Sequence, residues 1–184
     1  MSVFTPLVFE NEEEFNRKLV EFSMNTEKWI KSASALYKEI VQGDCILGIE
    51  DEKLHRSVNV IQVKCFYTNE QGEQFQLIEV KQVFKNGTIR ERGHKFLAEK
   101  LQIGESPEQG ALRGLFEELQ ISDVKVVPIP TENSFKKQES LTYIGLSCSY
   151  NTYVFSCEIP KSLYKSSYIE NQDDKDTFFE WYKL

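Results

Sequence analysis

The chain has 184 residues, 40% of them hydrophobic and 12% aromatic, with a formal net charge of -7 and a pI near 5.0. That composition suits one globular domain with a full core and excludes a disordered chain. It also argues against a broad nucleic-acid or anionic-membrane surface, because such surfaces need clustered Lys and Arg to offset phosphate charge.

The four cysteines, Cys45, Cys65, Cys148 and Cys157, form no CxxC pair, and the last three sit in apolar, strand-like runs. Buried free thiols are the expectation. With only His55 and His94 present, a multi-histidine metal site is excluded. No run approaches the roughly 18 apolar residues of a membrane-crossing helix, and the N-terminal stretch has no basic segment followed by a long apolar run. A soluble, cytoplasmic chain is expected.

In chain order, Asn11 is placed to cap a helix with an acidic start, in which Phe15, Leu19 and Phe22 share a face. Thr26 is placed to cap a second helix, with Trp29, Ala33, Leu36, Tyr37 and Ile40 at helical spacing and Gly43 at its end. Residues 58–67 and 75–84 are β-rich and read as a hairpin. Asn86-Gly87 signals a type I′ turn leading into residues 89–94. Residues 107–119 read as a helix: Ser106 is a good N-cap, Pro107 suits the first position, and Gln109 completes a capping box. Further strands are expected at 124–129, 141–146, 152–159 and 178–182, with polar loops at 131–140 and 164–176. Pro130 and Pro160 end two of those strands. No linker divides the chain, so residues 1–184 read as one domain of α+β class, with a helical extension over 1–43 and a core over 56–184.

The helix at 107–119 carries the chemistry. At about 100° per residue, Leu112, Leu115, Phe116 and Leu119 fall on one side, which should face the core. Arg113, Gly114, Glu117 and Glu118 fall on the other, and a glycine there suggests close approach of a neighbouring segment, metal or ligand. Arg90, Arg92, His94, Lys95 and Lys100 form a positive cluster just before it. This cluster is either a phosphate-binding surface or an edge strand protected by charge. Glu105 and Arg113 read equally as an ion pair bracing the loop on the helix.

Residues 104–121, GESPEQGALRGLFEELQI, resemble a degenerate box of the Nudix hydrolase superfamily. The box runs Gly, five residues, Glu, seven residues, Arg-Glu, an aliphatic, any residue, Glu-Glu, any residue, Gly, an aliphatic. Glu105, Arg113, Leu115, Glu117, Glu118 and Ile121 fall in place, while Glu99, Gly114 and Gln120 stand where the box has Gly, Glu and Gly. The resemblance implies an α/β/α sandwich with a mixed sheet, to which the two N-terminal helices are additions. It also implies hydrolysis of a nucleoside diphosphate linked to another moiety, dependent on Mg²⁺ or Mn²⁺. Glu117, Glu118 and Arg113 would be catalytic and Glu117, Glu118, Glu105 and Glu99 would address the metal; on the phosphate-binding reading of the positive cluster, Arg90, Arg92 and Lys100 would meet the phosphates. Gly114 removes a carboxylate at i,i+4 from Glu118, which Glu99, Glu105, Glu170, Asp173, Asp174 or Glu180 could replace. Three readings therefore stand together: a hydrolase of a small phosphoanhydride or nucleotide, a binding module that has lost turnover, and a structural subunit meeting a protein partner through Trp29, Tyr37 and nearby aromatics.

Overall fold

The computed structural model describes residues 3–184. Its strands are β1 (Thr5–Pro6), β2 (Ile46–Glu50), β3 (Lys53–Thr68), β4 (Gln74–Phe84), β5 (Ile89–His94), β6 (Leu97–Lys100), β7 (Val126–Pro128), β8 (Ser134–Glu139), β9 (Ser147–Glu158), β10 (Ser167–Asn171) and β11 (Lys175–Lys183). Its helices are α1 (Glu12–Glu21), α2 (Ala33–Val41) and α3 (Pro107–Leu119). The class is α+β, as the sequence indicates. No helix among the described residues is long and apolar enough to cross a membrane. All four cysteines are free and buried.

The chain forms two compact units: residues 1–60, 100–105 and 134–152 make the first, and residues 61–99, 106–133 and 153–184 the second. In the first, Asn11 caps α1 by accepting from the Glu14 N–H, as expected. The second helix starts later than Thr26 suggests. Residues Thr26–Lys28 form one 3-10 turn capped by Asn25, and α2 begins after Ser32, whose hydroxyl accepts from the Ala35 N–H. Ser32 therefore wins as the cap, because it sits directly before the run whose Leu36 is buried. Antiparallel pairing joins β1 to β2, β2 to the first part of β3, and β8 to the first part of β9. Phe15, Leu19, Trp29, Leu36, Leu47, Leu54, Val58, Tyr143 and Leu146 fill the core between these elements.

A charged group is buried beside that core. Glu39 accepts from Arg56 Nη2 at 2.6 Å, Lys31 Nζ at 3.0 Å and Tyr143 Oη at 3.1 Å, and Lys100 Nζ lies 3.3 Å away. Burial alone would push the Glu39 carboxyl up, but Lys100, Arg56 and Lys31 outweigh it and hold the group down at about 2.

In the second unit, β4 is central. It pairs antiparallel with the end of β3 in the expected hairpin, with β5 and with β11, and β11 pairs in turn with β10. The turn at Asn86-Gly87 is not type I′. Only Gly87 has positive φ (+86°), and its N–H donates to Phe84 O, which makes a tight turn ending in one left-handed residue. Three loop and strand expectations are overturned. Residues 141–146 are turns rather than a strand, 131–140 contain β8, and 164–176 contain β10. Of the apolar residues in 141–146, Tyr143 and Leu146 are buried from an irregular segment while Leu141 and Ile144 are exposed, whereas β8 and β10 are short, largely polar strands held by ladder hydrogen bonds.

The inward face of α3 is also turned from the one expected. Ala111, Gly114, Leu115, Glu118 and Leu119 are buried, while Phe116 is 53% exposed and Leu112 36%. Measured at about 100° per residue, the buried arc is shifted from Leu115 towards Gly114 and Glu118 and away from Phe116.

Leu115→Ala should lose roughly 2–5 kcal/mol, whereas Phe116→Ala should lose less than about 1 kcal/mol; denaturant unfolding of both variants checks the rotated face. Because Glu39 titrates at about 2 when folded against an ordinary 4.5, its contribution is complete above 4.5 and is lost as pH falls from 4.5 towards 2. Urea unfolding at neutral and acid pH should show wild type losing more stability over that window than Glu39→Gln.

Candidate functional site

The capping box of α3 forms as its sequence requires. The Ser106 hydroxyl accepts from the Gln109 N–H at 3.2 Å, and Gln109 Oε1 accepts from the Ser106 N–H at 2.8 Å. This fixes the helix start, and with it the radial position of every later residue. The other end is less favourable. Gln120 occupies the left-handed region at φ +57°, where a Cβ is penalised and glycine is not.

Within the second unit, α3, β4, β5, β6, β10 and β11 enclose a polar cavity of about 170 Å³. Glu118 reaches it from α3, Ala98 and Glu99 from β6, Glu79 and Gln82 from β4, Arg92 from β5, and Glu170, Lys175 and Thr177 from β10 and β11. The β4–β11 register explains part of this convergence. Glu79 lies opposite Phe179 and Gln82 opposite Thr177, so these side chains share a face, with a bulge between the two pairs. A larger groove of about 630 Å³ is lined by Gln76, Ile78, Val80 and Tyr182 from the opposite alternation of the same strands.

The smaller cavity is electrostatically unusual. Glu118 is 8% exposed and its Oε1 has no hydrogen-bond partner. Burial pushes its carboxyl well above the ordinary range, and the neighbouring Glu99, Glu170, Glu79 and Glu117 push it in the same direction. Burial also raises Glu99, against the pull of Arg113, and raises Glu170, against Gln172 and Lys175. Arg92 Nε approaches Glu79 Oε1 to 3.1 Å, but neither atom is in hydrogen-bonding geometry. Arg92 Nη2 lies 3.1 Å from His94 Nδ1.

The candidate residues from the sequence separate into groups. Glu118, Glu99 and Arg92 line this cavity. Arg113 Nη1 sits 3.0 Å from Glu117 Oε2 and 3.4 Å from Glu99 Oε2, so it bridges the helix surface to β6. Arg90 lies over the Phe84 ring, 5.6 Å from its centroid. Lys100 and Glu105 belong to the first unit. There Lys100 stands 3.3 Å from both Glu39 and Asp44, and Glu105 accepts from the Gln102 N–H at 3.2 Å. Of the other acids considered, Glu170 reaches the cavity. Glu79, Gln82, Lys175 and Thr177 are not apparent in the motif. For Glu79 the available signal is an acid inside the apolar run of β4, on the alternation shared with Leu77.

Hard divalent cations take carboxylate oxygens, and Glu118 presents a buried oxygen with nothing bonded to it. Among the described residues no three His, Cys, Asp or Glu groups form a closed metal cage. Mg²⁺ does not require one, since it is commonly held by one or two carboxylates together with substrate phosphates. The donor set therefore fits such an ion.

Several solved structures are similar to the chain. One is an Ap4A hydrolase of C. elegans in a binary complex, at 15% identity over 68% of this chain and 80% of that one, with a TM-score of 0.39. Another is the E. coli dihydroneopterin triphosphate pyrophosphohydrolase, at 13% identity over 67% and 78%, with a TM-score of 0.45. A third is the NUDIX domain of Shewanella oneidensis NrtR complexed with ADP ribose, at 12% identity over 70% and 73%, with a TM-score of 0.44. No family model and no curated protein matches the chain.

Gln120→Gly should relieve the left-handed strain at the end of α3 and stabilise the protein by about 1 kcal/mol. Thermal unfolding checks this; an unchanged midpoint would show that the helix end carries no such strain.

Proposed function

We propose that the chain is a Nudix-type hydrolase of a small phosphoanhydride, such as a nucleoside diphosphate linked to another moiety, acting at the acid-lined cavity with a divalent cation. One observation carries the reading. Among the described residues, Glu118 Oε1 is buried in this cavity with no hydrogen-bond partner, whereas Glu79 Oε1 and Arg92 Nε face each other as an ion pair at 3.1 Å. A buried carboxylate oxygen left unpaired is costly, so Glu118 supports a charged ligand in this cavity. The box pattern around Arg113, Glu117 and Glu118 supports the same location.

Glu118 would hold the cation, Mg²⁺ or Mn²⁺, with the other cavity carboxylates as supporting donors. When bound, such an ion neutralises phosphate charge and acidifies a water. The chain's own residues supply the rest. Arg92 and Lys175 place positive charge in the cavity for phosphate oxygens, and the Arg92 fork suits two of them at once. Burial and the neighbouring acids push the Glu118 carboxyl up, so entry of a cation would favour loss of its proton. Arg113 keeps Glu117 on the helix surface and ties Glu99 to α3.

Cation binding must then displace the Glu118 proton, so Mn²⁺ affinity should rise as pH is raised above the ordinary carboxylate range. Glu118→Gln should abolish both this pH dependence and the binding. Calorimetric titration with Mn²⁺ followed by a nucleoside-diphosphate hydrolysis panel tests the proposal. Equal binding by Glu118→Gln sinks the cation site, and tight binding with no phosphate released from any substrate leaves a binding module.

A further inference from the structure

Resting on the proposed cation at this cavity, we infer that Gly114 is a notch cut into α3 to admit Glu99, and that Glu99 is the second carboxylate of the cation site. Glycine inside a helix is less stable than alanine, so its presence needs a local cause. A Cβ at position 114 would lie 3.1 Å from Glu99 Cγ and 3.5 Å from Glu99 Cβ, and it would meet no other segment within 4 Å. The helix is therefore opened for this one side chain.

Glu99 arrives from β6 and Glu118 from α3, and both line the cavity. The independent sign of a ligand is Glu118, 8% exposed, with Oε1 unpartnered in that cavity. The positive groups lining it are Arg92, whose Nε lies 3.1 Å from Glu79, and Lys175. Two half-buried or buried carboxylates from different elements, held together against their mutual repulsion, make a two-point oxygen site for a hard cation. The rival role for Glu99 is a brace, since its Oε2 lies 3.4 Å from Arg113 Nη1.

Mn²⁺ binding to the full chain, measured by calorimetry and by the free-ion electron paramagnetic resonance signal, separates the two roles. Glu99→Gln should weaken binding by about tenfold or more through the lost ligand charge. Gly114→Ala, which crowds Glu99 and leaves its charge, should also weaken it. The double variant Glu99→Gly with Gly114→Glu, which moves the carboxylate from strand to helix, should bind within about threefold of wild type. Thermal midpoints are recorded for each protein. If Glu99→Gln lowers only the midpoint and leaves Mn²⁺ affinity unchanged, Glu99 is a brace and the inference falls, while loss of binding in Glu118→Gln keeps the cation site standing. Unchanged affinity in Gly114→Ala, or a double variant that binds no better than Glu99→Gln, also overturns it. A wild-type chain that binds no Mn²⁺ overturns both the inference and the site beneath it.

Discussion

Burying Glu118 is the constraint around which the second unit is arranged. An isolated carboxylate taken out of water costs far more than a domain can spare, so the group neutralises or finds positive charge. Here its neighbours make matters worse: Glu99, Glu170, Glu79 and Glu117 all add negative charge around it. Leu115 and Leu119 would anchor α3 in several rotations, but the one adopted brings Gly114 and Glu118 inward and leaves Phe116 half in solvent. Apolar burial alone would have chosen the opposite rotation. The helix gives up part of its hydrophobic gain at Phe116 while placing an acid where it is uncomfortable, and local conflict of that kind is characteristic of sites rather than of cores.

The first unit shows that the chain can bury a glutamate without conflict. Glu39 is as little exposed as Glu118, at 7% against 8%. Its oxygens receive Arg56, Lys31 and Tyr143, with Lys100 close by, and its carboxyl is held at about 2. Solvent exposure is similar and the shifts run in opposite directions: at Glu39 the positive partners outweigh burial, while at Glu118 deeper burial and negative neighbours act together. A satisfied network of this sort rigidifies the structure around it. Glu118 has acids where Glu39 has cations.

Local chemistry made much of the fold legible. The Asn11 cap, the Ser106–Gln109 box, the hairpin of β3 and β4, and the helix-ending role of Gly43 each depend on residues within a few positions of one another. What failed depended on distant partners. Phe116 looks like a core residue by spacing, and only the packing of α3 against β7 and β10 turns it outward. Polar β8 has no alternation to announce it, because its strand exists through its pairing with β9. The candidate site was half visible for the same reason. Glu118, Glu99 and Arg92 lie in or beside the motif, whereas Glu79 and Thr177 are brought in by the β4–β11 register, which no short window contains.

The three departures from the box pattern differ physically. Gln120 sits at a left-handed helix end where glycine would relax the backbone, and its side chain returns only one long hydrogen bond, Nε2 donating to Glu117 O at 3.4 Å. That departure is a local cost. Glu99 and Gly114 are different, because they touch: the side chain gained at one position occupies the space released at the other. Taken singly, each would count as damage to the pattern, an acid where the backbone should be bare and a bare backbone where an acid should be. On the proposed reading the pair would leave a carboxylate beside Glu118, delivered by β6 instead of α3. A pattern read along the chain scores this as two losses, while the same pair read in space is a single exchange.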